Sequence, residues 1–219
     1  MDTQKRVIIW VSSLLIVGIT IVAVWQIATG EKPARVTTGT LSEQVGSDEW
    51  TKGASLPTVS LVEYSDFQCP ACGYYHSVVE EVLKENEGNL TFTYRHFPLP
   101  QHKNALAAAY ASEAAGTQGK FWEMHRLIFE HQNDWSDSTT AESIFEGYAT
   151  ELKLDIAKFK SDRDSQATKD AVEHDKETGL KSGISSTPTF YLNGKKMANP
   201  KSPDEFKALI KSAVAESNG

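Results

Sequence analysis

Residues 62–76 read VEYSDFQCPACGYYH, and they decide what is built around them. They begin at the end of a β-branched, apolar run, TVSLVEY at 58–64, whose apolar side chains fall on both faces, as in a strand covered above and below. Pro70 suits the first position of a helix. Tyr75, Val78, Val79, Val82 and Leu83 give that helix an apolar stripe, and Gly88 ends it. LTFTYRHF at 90–97 reads as a second strand. Strand, helix and strand in this order predict an α/β sheet with a crossover helix.

Cys69 and Cys72 are the only two cysteines in the 219 residues. Placed on the first turn of the helix, they can close a small disulfide. The first sulfur then lies against unpaired backbone N–H groups and the positive end of the helix dipole, both of which favour a thiolate. Cys-X-X-Cys thiols reach pKa values of roughly 3.5–7.5 rather than ~8.5. An electron-rich Cys69 leaves a mixed disulfide readily, and Cys72, one turn deeper, is the resolving thiol. Three other readings compete. A zinc site needs about four ligands, and only His76 lies close in sequence. A structural disulfide across so small a loop removes little chain entropy. The third is an inert buried pair.

From about 101 to 182 the pattern turns helical. Ala105, Ala108, Ala109 and Ser112 form a small-residue face, followed by stripes through Phe121, Met124 and Ile128 and through Ile144, Phe145, Tyr148 and Leu152. Asp155 caps a short helix around Phe159, and Ala167, Ala171 and His174 line a last one, closed by Gly179. Strands return at 189–192 and 195–198, joined by Asn193-Gly194, a strong two-residue hairpin turn. Ser202-Pro203-Asp204-Glu205 is a capping box ahead of a final helical stripe. The expected domains are a cytoplasmic tip and membrane anchor (1–29), a linker with a short strand near 36–45 (30–57), and an α/β body (58–216) split by a helical insertion at about 101–182.

The anchor rests on residues 7–28, a run of 22 without a charge, long enough as a helix to span the ~30 Å hydrocarbon core of a bilayer. Trp10 and Trp25 near its ends suit the headgroup level. A cleaved secretory signal is the alternative, but its apolar core runs only ~7–15 residues. Lys5 and Arg6 before the run balance Lys32 and Arg35 after it, so charge alone does not orient it. We place the body outside the membrane because the cysteine chemistry suits an oxidising compartment. Net charge is −7, and because residues 1–35 carry +2, the rest carries −9. An acidic body argues against nucleic-acid binding, which needs Lys and Arg to displace counterions. Apolar residues at 40% and charged residues at 23% exclude wholesale disorder.

With SSTPTFYLNG at 185–194 and RHFPLPQHKNALAAAYASEAAGTQGKFWEMH at 95–125, the opening stretch resembles the DsbA-like branch of the thioredoxin superfamily, in particular its membrane-anchored DsbA/BdbD-type thiol–disulfide oxidoreductases. The resemblance covers about residues 56–216. It implies a thioredoxin-like fold with an inserted all-helical domain, here preceded by one N-terminal transmembrane helix. On sequence alone Pro188 is as easily a trans proline starting a strand. The resemblance implies a cis Thr187–Pro188 bond beside the cysteines, with the Thr187 backbone pairing in β fashion with an extended substrate. Glu63, a carboxylate inside an apolar strand, is costly to charge and its pKa is expected to be raised. In the family this acidic position relays the proton of the second cysteine. Asp66, in the loop, suits a turn or cap. Strong oxidases of the family carry His where this chain has Ala71, so a less depressed Cys69 and a milder oxidant are expected.

The resemblance further implies a monomer without cofactor or metal that oxidises exported proteins with free cysteines and is itself reoxidised by a membrane partner of the DsbB or VKOR type. A reductase or isomerase using the same cysteines, and a non-catalytic metal carrier or binding module, are the competing functions.

Overall fold

The computed structural model describes residues 36–198, 200 and 202–217. The span expected at 7–28 lies outside them. Among the described residues no helix is long and apolar enough to cross a membrane.

The segment read as a linker contributes two strands, β1 (Val36–Thr40) and β2 (Thr51–Gly53). The first falls where a short strand was expected; the second was not foreseen. Three residues with polar neighbours leave no readable alternation. The body follows with β3 (Val59–Ser65), α1 (Pro70–Glu85) and β4 (Leu90–His96). β4 lies parallel to β3, which requires the crossover that α1 supplies. The helical insertion comprises α2 (Ala105–Gly116), α3 (Phe121–Glu130), α4 (Gln132–Trp135), α5 (Ala141–Glu151), α6 (Ile156–Asp164) and α7 (Gln166–Lys181). The chain then returns as β5 (Thr189–Leu192), β6 (Lys195–Met197) and α8 (Pro203–Ser217). Asn193 and Gly194 between β5 and β6 have φ of 50° and 74°, the left-handed pair that a tight hairpin demands.

The six strands run β1-β6-β5-β3-β4-β2, all neighbours antiparallel except β3 and β4. β3 is therefore interior, with Glu63 opposite Tyr94 on one side and Phe190 on the other. Its side chains alternate between two cores, as the two-residue period of a strand dictates. Val59 and Leu61 join Val78, Val79 and Val82 of α1 and Phe206 and Ile210 of α8. Val62 and Tyr64 join Leu41, Phe97, Ile184 and Tyr191. Each such side chain, fully buried, contributes roughly 1.5–3 kcal/mol of transfer free energy.

α7 departs from its expected facing. Ala167, Ala171 and His174 are exposed. The buried positions are Thr168 and Val172, each one residue further along, with Thr178 and Gly179 near the end of the helix. A threonine can occupy this face because the Thr178 hydroxyl pairs with the Tyr64 hydroxyl at 2.9 Å. Nor does Gly179 end the helix. A side chain there would stand 2.7 Å from the Phe97 ring, so the glycine serves close packing, and Gly183, with φ 74°, carries the turn. Asp155 does cap α6, accepting from the backbone N–H of Lys158 at 3.0 Å.

Between β1 and β2 the chain forms an arm that grips both the sheet and the helices. Ser42 donates through Oγ to the Thr178 carbonyl at 2.8 Å. Arg95 of β4, 2% exposed, donates from Nε and Nη2 to the two Glu49 carboxylate oxygens at 2.7 and 2.8 Å. It also reaches the carbonyls of Glu43 and Gln44 and the Tyr64 hydroxyl. Trp50 lies on Phe121 of α3 and donates to Glu113 of α2 at 2.6 Å.

Candidate active site

Cys69 is the N-cap of α1, in extended conformation (φ −73°, ψ 121°), with Pro70 at the start of the helix. The pair stands in its dithiol form. Both cysteines are buried, but Cys69 keeps 8% of its surface exposed and Cys72 none. The Cys69 pKa is pushed down to about 5. Hydrogen bonding from the Cys72 thiol contributes most. Burial opposes it, and the Thr187 hydroxyl and the backbone N–H groups of Cys72 and Ala71 add to it. Burial pushes the Cys72 thiol well up, helped by its bond to Cys69 and by the Glu63 charge. Two thiols three residues apart are thereby driven in opposite directions, one towards nucleophile and leaving group, the other towards a protonated reserve.

Glu63 is 3% exposed, on the face of β3 that carries Val59 and Leu61 into the core shared with Cys69 and Cys72. Its pKa is raised to about 8, first by burial, against which the Ser65 hydroxyl and Lys52 pull it down, while the Cys69 charge adds to the rise. Ser65 Oγ donates to Glu63 Oε1 at 2.7 Å. The expected costly carboxylate is thus present and lies within electrostatic reach of both cysteines.

The Thr187–Pro188 bond is cis. As a thiol, Cys69 donates to the Thr187 carbonyl oxygen at 3.5 Å. The Thr187 hydroxyl is buried without another partner among the described residues and serves the thiolate form. Thr187, 118 residues further along the chain and just ahead of β5, thus meets the tip of α1.

Asp66 plays the turn role expected of it and more. Its carboxylate accepts from the backbone of Gln68 and Leu99 and pairs with Nδ1 of His102, each at 2.7 Å. Its own N–H points at Cys72 Sγ, 3.5 Å away. A second set of contacts was not foreseen. Gln132 of α4 donates to the carbonyls of Phe67 and Cys69 at 2.6 and 3.0 Å, and Gln68 donates to the Ser136 carbonyl and accepts from Asn104 N–H. The helical insertion therefore latches the cysteine loop through amide side chains. Partners 36 to 68 residues apart leave no motif in the sequence.

His76, the one zinc ligand that the spacing offered, instead stacks on Phe129 at 5.1 Å. Its neighbour His125 is buried among Phe67, Tyr94, Phe121, Trp122 and Phe129, and burial holds its pKa well below the ordinary value. Among the described residues no three His, Cys, Asp or Glu side chains are grouped to hold a metal ion.

Comparison with known proteins agrees with this geometry. Residues 47–212 match the family described as Thioredoxin. The oxidised crystal structure of BdbD from Bacillus subtilis superposes with a TM-score of 0.67 at 24% identity, covering 81% of this chain and 100% of that one. Wolbachia pipientis alpha-DsbA1 gives 0.69 at 19% identity, with 80% and 94% covered. Among curated proteins, the Na(+)/H(+) antiporter NhaA 1 of Salinispora arenicola is 35% identical over 165 residues, 75% of this chain and 24% of that protein. The Na(+)/H(+) antiporter NhaA 1 of Mycobacterium sp. (strain KMS) is 40% identical over 145 residues, 64% of this chain and 22% of that protein. The chain thus spans about a quarter of the length of these curated relatives. With Cys-Pro-Ala-Cys at the tip of α1, a cis proline beside it and a helical insertion after β4, the chain belongs to the thioredoxin family, with the fold of the DsbA-like thiol–disulfide oxidoreductases.

Proposed function

We propose that this protein donates the Cys69–Cys72 disulfide to exported proteins from an anchored position on the outer side of a membrane. The observation that carries the reading is the split between the cysteines: Cys69 with 8% of its surface exposed and lowered to about 5, Cys72 wholly buried and raised. A pair whose reduced form holds a stabilised thiolate gives its disulfide away readily. A substrate thiolate attacks Cys69 Sγ, the Cys69–Cys72 bond breaks, and Cys72 leaves with its electrons and takes a proton from the Glu63 carboxyl. The second substrate thiolate attacks the substrate sulfur of the mixed disulfide and expels Cys69 as a thiolate. The substrate has lost two electrons and the cysteine pair has gained them.

Thr187 presents its backbone to an extended substrate segment, with Pro188 fixing that presentation beside Cys69. For reoxidation, Cys69 forms a mixed disulfide with a membrane reoxidant of the DsbB or VKOR type, and Glu63 takes the proton of Cys72. The Cys69 charge, one of the causes raising Glu63, disappears once that sulfur is bonded. The carboxyl thus becomes easier to ionise in the state where a base is needed. Relatives that carry a similar stretch within proteins named as Na(+)/H(+) antiporters favour a membrane setting.

The test is the reduction potential of the pair, equilibrated against glutathione. A value towards about −120 mV supports donation; one near −270 mV assigns the same cysteines to a reductase. A Cys69→Ser variant that keeps full function assigns the chain to the non-catalytic class.

A further inference from the structure

Two buried side chains on one strand, Glu63 and Ser65, share a hydrogen bond of 2.7 Å at the floor of the site. Being two apart on β3, they lie on the same face. Ser65 is 1% exposed, so water does not compete for the carboxyl from that side. The charged and titratable groups around Glu63 come from several elements. Cys69 and Cys72 lie at the start of α1, Asp66 in the loop before it, and Lys52 on β2. On β4, Tyr94 stands opposite Glu63 and His96 opposite Ser65, while β5 opposes Glu63 with the apolar Phe190. Among the hydrogen bonds of the described residues, the one donated to the Glu63 carboxyl comes from Ser65.

We propose that Ser65 is a positioning residue for the proton step: its hydroxyl holds the Glu63 carboxyl in place and, by donating to the carboxylate, sets the pH range in which Glu63 accepts the proton of Cys72. The proposal rests on the reading of Glu63 as proton carrier. A hydrogen bond from a neutral donor stabilises the charged acceptor more than the neutral one, so the hydroxyl pulls against the burial that favours the acid. Without it, Glu63 holds its proton to higher pH and is a base over a narrower range.

The step to follow is ring closure. Reduced protein is mixed with oxidised glutathione. The Cys69 thiolate attacks one of its sulfurs, the glutathione S–S bond breaks, one glutathione thiolate leaves and the other half stays on Cys69. Cys72 then gives its proton to Glu63, its sulfur attacks Cys69, and glutathione thiolate leaves as the Cys69–Cys72 bond forms. Acid quenching and mass measurement resolve the mixed disulfide from the closed ring across a pH series. Thr and Val are matched in shape and suited to a strand but differ in the hydroxyl, so Ser65→Thr and Ser65→Val are the informative pair, with Ser65→Ala beside them.

Ser65→Val and Ser65→Ala are expected to raise the midpoint of the closure profile by about one pH unit, slowing closure about tenfold at neutral pH. Ser65→Thr is expected to keep the midpoint near wild type. A purely structural role would lower the melting temperature without moving the midpoint. Wild-type midpoints in both Thr and Val variants, or equal shifts in both, overturn the proposal. Glu63→Gln separates the two levels. If it leaves the profile unchanged, the proton-carrier reading itself falls. If it abolishes the inflection while Ser65→Val does not move it, only the role of Ser65 falls.

Discussion

Cys69 Sγ lies 3.5 Å from the carbonyl oxygen of Thr187, so the tip of a helix and the entry to a strand share one reactive atom. The same sulfur, once ionised, draws on the Cys72 thiol, the Thr187 hydroxyl and two backbone N–H groups. Alkylation should therefore be strongly selective. With iodoacetamide, Cys69 is expected to react with a pH midpoint near 5, and Cys72 to stay unmodified through pH 9. Peptide mass mapping across a pH series checks this. A Cys69 midpoint below 4 or above 7, or parallel labelling of both cysteines, would contradict the asymmetry.

Ala71 is exposed and has no side-chain donor to offer. Replacing it by histidine adds an imidazole near the sulfur, as in the strong oxidases that the motif resembles. Ala71→His is expected to lower the Cys69 pKa by about one unit, worth ~1.4 kcal/mol, and hence to raise the reduction potential by about 30 mV. Thiolate absorbance gives the first number and glutathione equilibration the second. An unchanged potential alongside a lowered pKa would break the proposed link between them.

Glu63 makes stability depend on pH. Its proton is held more tightly in the fold, to about 8, than in the unfolded chain, where the value is 4.5. Its contribution is therefore intact below about 4.5 and is lost as pH rises through about 8. Glu63→Gln keeps the shape and abolishes that loss. Denaturant unfolding should find the variant a few kcal/mol more stable than wild type at pH 9 and equal to it near pH 4. A gain that is the same at both pH values would mean that the charge is not its source.

Trp50 and Gly116 are matched. The indole lies 4.4 Å from Phe121 and 4° from parallel, and a side chain at Gly116 would run into it. Trp50→Ala is expected to cost about 3 kcal/mol, from lost packing and from a Glu113 carboxylate deprived of a donor. Gly116→Ala is expected to destabilise the wild type but to be nearly neutral in the Trp50→Ala background. Additive effects in the double variant would show that the two do not share the space.

The sequence carried the centre of the fold well and its margins poorly. β3, α1 and β4 were legible because an interior strand and the helix packed on it impose continuous apolar patterns, and Asn193-Gly194 because its turn needs two left-handed residues. Cys69, Cys72 and Glu63 stood out as residue types that are chemically distinctive or costly where they lie. β2 was silent because three residues on a sheet border need no apolar face. α7 misled because alanine and histidine passed for its buried stripe while threonines filled it. The amide latch of Gln68, Asn104 and Gln132 was invisible because each bond joins segments far apart in the chain.

The arm between β1 and β2 also bears on trimming. Leu41 belongs to the buried core, and Glu49 and Trp50 are clasped by Arg95 and Phe121. A chain begun at Val36 would keep both borders of its sheet. Truncation at Pro57 would amputate those borders and strand a buried guanidinium without its carboxylate. A shortened form of this enzyme is therefore best begun just upstream of Val36.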